Sequence, residues 1–212
     1  MERTQKIENI IFDLGGVLLN LDSKRTIEAF YGLGWKEEDW KALSQGGYML
    51  FKSLETGMDE PDQFREKIRN MLPGNPPDLE IDTAWNAMLI DFSPEVIGYL
   101  EKLKEEYSIY LLSNTNAIHL KRFREIFWNA FGYKLDTLFV KTYYSHEIGY
   151  RKPVPEAYQT VLQDAALDPG KTLFVDDMII NTDAASLLGL QILHCEPGTL
   201  INCLPGYLEN CK

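Results

Sequence analysis

The chain has 212 residues and an apolar share of 45%, enough to bury a sizeable core in one domain carrying an insertion. Its formal net charge of -11 argues against nucleic acid as a partner, because phosphate backbones are gripped by clustered Lys and Arg. No apolar run approaches a membrane span and the first residues lack a signal-peptide apolar segment, so the expectation is a cytoplasmic protein without a membrane partner.

Residues 7–12 form a strand-like apolar run that delivers Asp13 into the turn Leu14-Gly15-Gly16-Val17. Residues 23–90 then carry several helical patterns, over 26–31, 36–43, 61–71 and 81–89, and no convincing strand. Gly46-Gly47 and Pro73-Gly74-Asn75-Pro76-Pro77 punctuate them. Beyond lies a helix over 94–106, with Ser93 as N-cap and Pro94 at its first position, then a strand over 108–112 that ends at Ser113-Asn114-Thr115. Further strands are expected at 137–141, 172–176 and 190–194, with helices at 154–166 and 179–188 between them. Strands that are four to six residues long and nearly all apolar are those of a parallel sheet covered on both faces. The alternation predicts an α/β fold, a Rossmann-like doubly wound parallel sheet with an inserted small helical cap domain. Residues 1–22 and 91–212 would form the core domain and 23–90 the cap, overhanging the carboxyl ends of the strands where such sheets place ligands.

The chemistry gathers at strand ends. Asp13 ends the first strand and Asp176-Asp177 end a much later one. Carboxylates so placed point to a divalent metal site with an acidic nucleophile, since a carboxylate can attack phosphorus and form an aspartyl-phosphate. An anion attacking an anionic phosphate needs a cation beside it. Mg²⁺ suits the set Asp13, the Gly15 carbonyl, Asp176 and Asp177, because it takes oxygen ligands and few carboxylates. Ser113 and the Asn114 amide, ahead of a helix, form a turn able to hold a phosphate oxygen. Lys152, in Gly149-Tyr150-Arg151-Lys152-Pro153, is placed to neutralise a transferring phosphoryl group, with Arg151 read as peripheral. The three histidines are scattered, the four tryptophans read as core or cap packing, and Tyr48 and Phe51 as candidates for the substrate face of the cap. Cys195, Cys203 and Cys211 lack zinc or disulfide-framework spacing and read as reduced thiols.

Taken in order, these segments resemble the haloacid dehalogenase-like hydrolases, most of them Mg²⁺-dependent phosphatases. Asp13-x-Gly15-Gly16-Val17 resembles the first motif, Ser113-Asn114 the second, Lys152-Pro153 the third, and Asp176-Asp177 with Asn181 the fourth. The resemblance implies that Asp13 is the nucleophile, that Ser113 and Lys152 hold the phosphoryl group, and that Asp177 binds the metal with Asp176 in support. Phe12-Asp13-Leu14-Gly15-Gly16-Val17 and Glu55-Thr56-Gly57 resemble a branch that includes sugar-1-phosphate phosphatases.

The chain departs from the family at Gly15, where most of these phosphatases carry a second Asp that protonates the leaving alcohol. General acid–base help of that kind contributes roughly 10²–10⁴-fold. Three consequences are open at this point: a substrate with a good leaving group such as a sugar 1-phosphate, a substitute carboxylate from Asp22 or Glu55, or a catalytically weak chain serving as a phosphometabolite- or partner-binding module. A metal-independent dehalogenase is a further alternative that the acidic cluster disfavours. The expected partner is a small phosphorylated metabolite, while substrate identity and oligomeric state are not legible.

Overall fold

The computed structural model describes residues 6–46 and 48–211, and of residues 42–46, 48 and 49 the backbone alone. The expected side-chain role of Tyr48 and the punctuation at Gly47 lie outside the described residues.

A central sheet is built from β1 (Asn9–Phe12), β4 (Ser108–Ser113), β5 (Lys141–Tyr144), β6 (Thr172–Asp176) and β7 (Gln191–His194). Its strands run parallel in the order β5-β4-β1-β6-β7, with β1 central. Side chains alternate across a strand, so each apolar run supplies two cores. Ile10, Phe12, Ile109, Leu111, Leu173 and Val175 face one layer, where α6 (Pro94–Leu103), α7 (Ala117–Phe131) and α11 (Leu200–Asn210) cover them. Ile11, Tyr110, Leu112 and Phe174 face the other, under α9 (Pro155–Asp164) and α10 (Ile179–Ser186). Chain order reverses beside β1, and this is where a doubly wound sheet opens a crevice at its carboxyl edge.

The strand expected at 137–141 is displaced. Leu135–Leu138 form a 3₁₀ turn whose Leu135 and Leu138 are buried, and the edge strand β5 begins only at Lys141. An apolar run there packs as a turn, while the strand reads as mixed because it borders solvent. The helix expected over 81–89 also ends early. α5 (Asp78–Asn86) gives way to β3 (Leu89–Phe92), which pairs antiparallel with β2 (Leu19–Leu21) and forms a two-stranded stem. Asn20 Nδ2 donates to Asp91 Oδ1 across it at 2.7 Å.

Between the stem strands lie α1 (Ser23–Gly32), α2 (Glu37–Gly46), α3 (Tyr48–Glu55), α4 (Pro61–Arg69) and α5. They share their own core of Phe30, Trp35, Leu54, Phe64, Ile68, Ile81 and Trp85, which also receives Ile118 from α7. Asp22 caps α1 by accepting from the Lys24 N–H at 3.1 Å, which commits the carboxylate to the helix end. Gly57 follows α3 with φ +68°, and a Cβ there would strike the main-chain oxygen of His146 on α8 (Ser145–Ile148). Glycine thus permits the close approach of the helical insertion to the sheet domain. Gly57→Ala is expected to cost about 1–3 kcal/mol through its left-handed conformation and this clash, measured as a lower urea midpoint with an unchanged slope.

Candidate active site

Asp13, Ser113 and Asp176 end neighbouring parallel strands, so the sheet itself sets their spacing. Lys152 reaches them from the segment before α9. Its side chain is 1% exposed, and its Nζ donates to Asp13 Oδ1 at 2.6 Å and to Asp176 Oδ2 at 2.7 Å. A buried ammonium is tolerable only when paired in this way. Burial opposes its charge, but Asp13 and Asp176 prevail and hold it above the ordinary lysine range. For Asp13, by contrast, burial dominates. It outweighs the attraction of Lys152, Asp176 adds repulsion, and the carboxyl is pushed up to about 7.

Asp176 is held at both oxygens. Oδ2 takes the lysine, while Oδ1 accepts from the Met178 N–H and from Asn181 Nδ2, each at 2.9 Å. The Asn181 carbonyl in turn accepts the Tyr158 hydroxyl at 2.9 Å. Asp177 is half-buried, and burial first and Asp176 second raise its carboxyl. Its main-chain oxygen accepts His194 Nε2–H at 2.9 Å. Gly16, at φ +76°, leaves room for it, since a Cβ there would meet Asp177 Oδ2. Oxygens of Asp13, Asp176 and Asp177 all lie within 4.8 Å of one another. Three carboxylates against one ammonium leave an excess of negative charge, and a hard-oxygen donor set of this kind fits Mg²⁺.

Asn114 is spent on positioning. Its Nδ2 donates to the Lys152 carbonyl at 2.9 Å and its Oδ1 accepts the Lys152 N–H at 2.8 Å. The side-chain amide therefore fixes the lysine backbone, and the Lys152-Pro153 peptide beside it is cis. Ser113, Asn114 and Gly15 open onto a cavity of about 290 Å³ between the sheet and the helical insertion. Leu21 fills the space beside Gly15, its Cδ1 2.7 Å from where a Cβ at that position would stand. Phe51 and Trp85, stacked at 5.1 Å, line the opposite wall.

Several expectations are corrected here. Arg151 is not peripheral: it lines the cavity and its Nε lies 2.7 Å from Glu55 Oε2 of α3. Glu55, one of the two candidates for a substitute carboxylate, lines the same cavity, and burial raises its carboxyl against the pull of Arg151. Trp128 is half-exposed and belongs to none of the three cores. His119, unremarkable in sequence, is buried against Trp85 at 4.9 Å, and its Nε2–H donates to the Trp85 carbonyl at 3.1 Å. Only its position one turn into the helix after Ser113 hinted at the cavity.

Burial lowers the His119 imidazole to about 4, so folding favours its neutral form. Between about 6.5 and about 4 the unfolded chain binds the extra proton and stability is lost as pH falls, by on the order of 3 kcal/mol in all. His119→Gln is expected to flatten the urea-midpoint profile in that window.

The family model for haloacid dehalogenase-like hydrolases matches residues 7–189. The D-ribitol-5-phosphate phosphatase of Bacteroides thetaiotaomicron is 30% identical over 192 residues, 91% of this chain and 93% of the relative. A sesquiterpene phosphatase of Aspergillus oryzae is 28% identical, over 87% of each chain. Among solved structures, a HAD family enzyme of Bacteroides thetaiotaomicron, in complex with magnesium and inorganic phosphate, superposes with a TM-score of 0.82 at 41% identity, covering 91% of this chain and 96% of that one.

Proposed function

Since the chain belongs to the haloacid dehalogenase-like hydrolases, we propose that it is a Mg²⁺-dependent phosphatase that hydrolyses a small sugar or polyol monophosphate through an aspartyl-phosphate at Asp13. The observation that carries this reading is the buried Lys152 held between Asp13 and Asp176, with Asp177 alongside, at the carboxyl edge of the sheet. The relatives named as phosphatases support it.

An Asp13 oxygen attacks phosphorus and the bond from phosphorus to the ester oxygen breaks. The departing alkoxide takes a proton from water, because Gly15 offers none. A second water then attacks phosphorus, loses its proton to solvent, and breaks the bond to Asp13, releasing inorganic phosphate and restoring the carboxylate. Lys152 keeps Asp13 oriented and neutralises phosphoryl charge. The Ser113 hydroxyl and the Asn114 main-chain N–H orient the phosphoryl oxygens, while the Asn114 side chain fixes Lys152. Asp13, the Gly15 carbonyl and Asp177 would hold Mg²⁺, with Asp176 in support. When bound, the ion supplies positive charge that offsets repulsion between the carboxylate and the phosphate. The cavity is apolar over much of its wall, with the aromatic faces of Phe51 and Trp85 on one side and the Glu55–Arg151 pair as its polar end. A polyhydroxylated carbon chain suits that combination, with C–H groups on the rings and hydroxyls on the charged pair.

The test is phosphate release across sugar 1-phosphates, sugar and polyol 5-phosphates and prenyl phosphates, with Mg²⁺ and with chelator. Turnover is expected to need Mg²⁺ and to rise steeply as the leaving alcohol becomes more acidic, because nothing at position 15 protonates it. Equal rates on anomeric and primary alkyl phosphates would sink the leaving-group argument. Turnover that survives chelation would overturn the metal-dependent reading, and no turnover on any compound would leave a binding module.

A further inference from the structure

The described cysteines are free, and two of them are in contact. Cys195 is 1% exposed and directly follows β7, while Cys203 is part-exposed on the first turns of α11. Their sulfurs lie 2.9 Å apart. Both belong to one segment, since Thr199 places its hydroxyl 3.5 Å from the Cys195 sulfur and its carbonyl accepts the Cys203 N–H at 3.1 Å. That segment backs onto the acidic strand end. The Cys195 N–H donates to the Asp176 carbonyl at 3.0 Å and the Gly198 N–H to the Gly16 carbonyl at 3.4 Å. The third thiol, Cys211, lies eight residues beyond Cys203, about 12 Å along the helix direction.

We infer that Cys195 and Cys203 are a modification site that forms a reversible intrachain disulfide by exchange with a low-molecular-weight disulfide. Cys203, the more exposed sulfur, loses its proton and attacks one sulfur of the small disulfide. That S–S bond breaks, a mixed disulfide forms, and one small thiol departs. Cys195 then gives up its proton and attacks the Cys203 sulfur, releasing the second small thiol. Two cysteine thiols are oxidised to one disulfide while the small disulfide is reduced to two thiols. The bridge ties α11 to the segment behind Asp176 and Asp177, and the residues that hold the phosphoryl group take no part in it.

The experiment incubates the whole protein with glutathione disulfide or with dithiothreitol, alkylates it under denaturing conditions, and maps the peptides by mass. The expected result after oxidation is a Cys195–Cys203 crosslink with Cys211 alkylated, and three alkylated cysteines after dithiothreitol. Because the closed loop is short, the melting temperature is expected to rise by about 5 °C on oxidation. Cys203→Ser is expected to abolish crosslink and rise together, and Cys211→Ser to keep both. Alkylation of all three cysteines after oxidation, a stable glutathione adduct on Cys203 without transfer to Cys195, or a bridge through Cys211 would each overturn the inference.

Discussion

Replacing Asp13 by Asn is expected to lower kcat by a factor on the order of 10⁴ or more, the scale on which removal of a covalent nucleophile acts. The amide oxygen still accepts from Lys152, which donates to Asp13 Oδ1 in the wild type, so the fold is retained and the loss is chemical. A pre-steady-state burst of alcohol release, if present in the wild type, should vanish in the variant. The stability change runs in the opposite direction. Burial pushes the wild-type carboxyl upward, and a neutral amide escapes that cost, so without Mg²⁺ the variant is expected to melt above the wild type. Activity within tenfold of wild type would remove Asp13 from its proposed role, and lost activity with an unfolded chain would show that Asp13 is needed for the fold.

Lys152→Met carries the second large effect, and it falls on stability as well as rate. Lys152 donates to two carboxylates from a fully buried position, and removing one partner of such a network typically costs about 3–5 kcal/mol. The cost should be largest at neutral pH and shrink on acidification, because protonated carboxyl groups no longer repel one another. Mg²⁺ should restore part of the loss by supplying charge to the same aspartates. Turnover is expected to fall by about 10²–10³-fold even with Mg²⁺ saturating, the range for loss of a preorganised charge at a reacting centre. Urea midpoints at acid and neutral pH, with and without Mg²⁺, separate the structural contribution from the chemical one. A uniform destabilisation at all pH values would show that lost packing, rather than unpaired charge, is the cause.

The central sheet was legible because its buried strands are nearly pure apolar runs. Ile10, Ile11, Phe12 and Leu173, Phe174, Val175 serve two cores at once, so no polar residue interrupts them before the carboxylates at the strand ends. Elements that touch solvent were harder to read. In β5 the exposed Lys141 precedes the buried Tyr143 and Tyr144, and β2 and β3 are too short, with Asn20 and Asp91 on their wet face, to show a period. α11 was hidden by Pro205 and Gly206 within its span, both of which normally argue against helix. Within the site, the carboxylates at strand ends were visible from position alone. The cavity wall was not, because Trp85, His119, Leu21 and Arg151 meet only through the seating of the helical insertion on α7, and no local spacing encodes that.

On the proposed mechanism, the pairing of β1 with β6 sets when this protein can become active during its synthesis. Asn9 is matched to Thr172, so Asp13 waits for most of the chain to be made before Asp176 and Asp177 stand beside it. Until then one edge of β1 has no partner, and an open edge of the apolar strand Ile10-Ile11-Phe12 invites pairing with other chains. Premature termination anywhere before β6 therefore yields fragments without the carboxylate set and with an adhesive edge. Such products are candidates for aggregation and degradation rather than for residual activity.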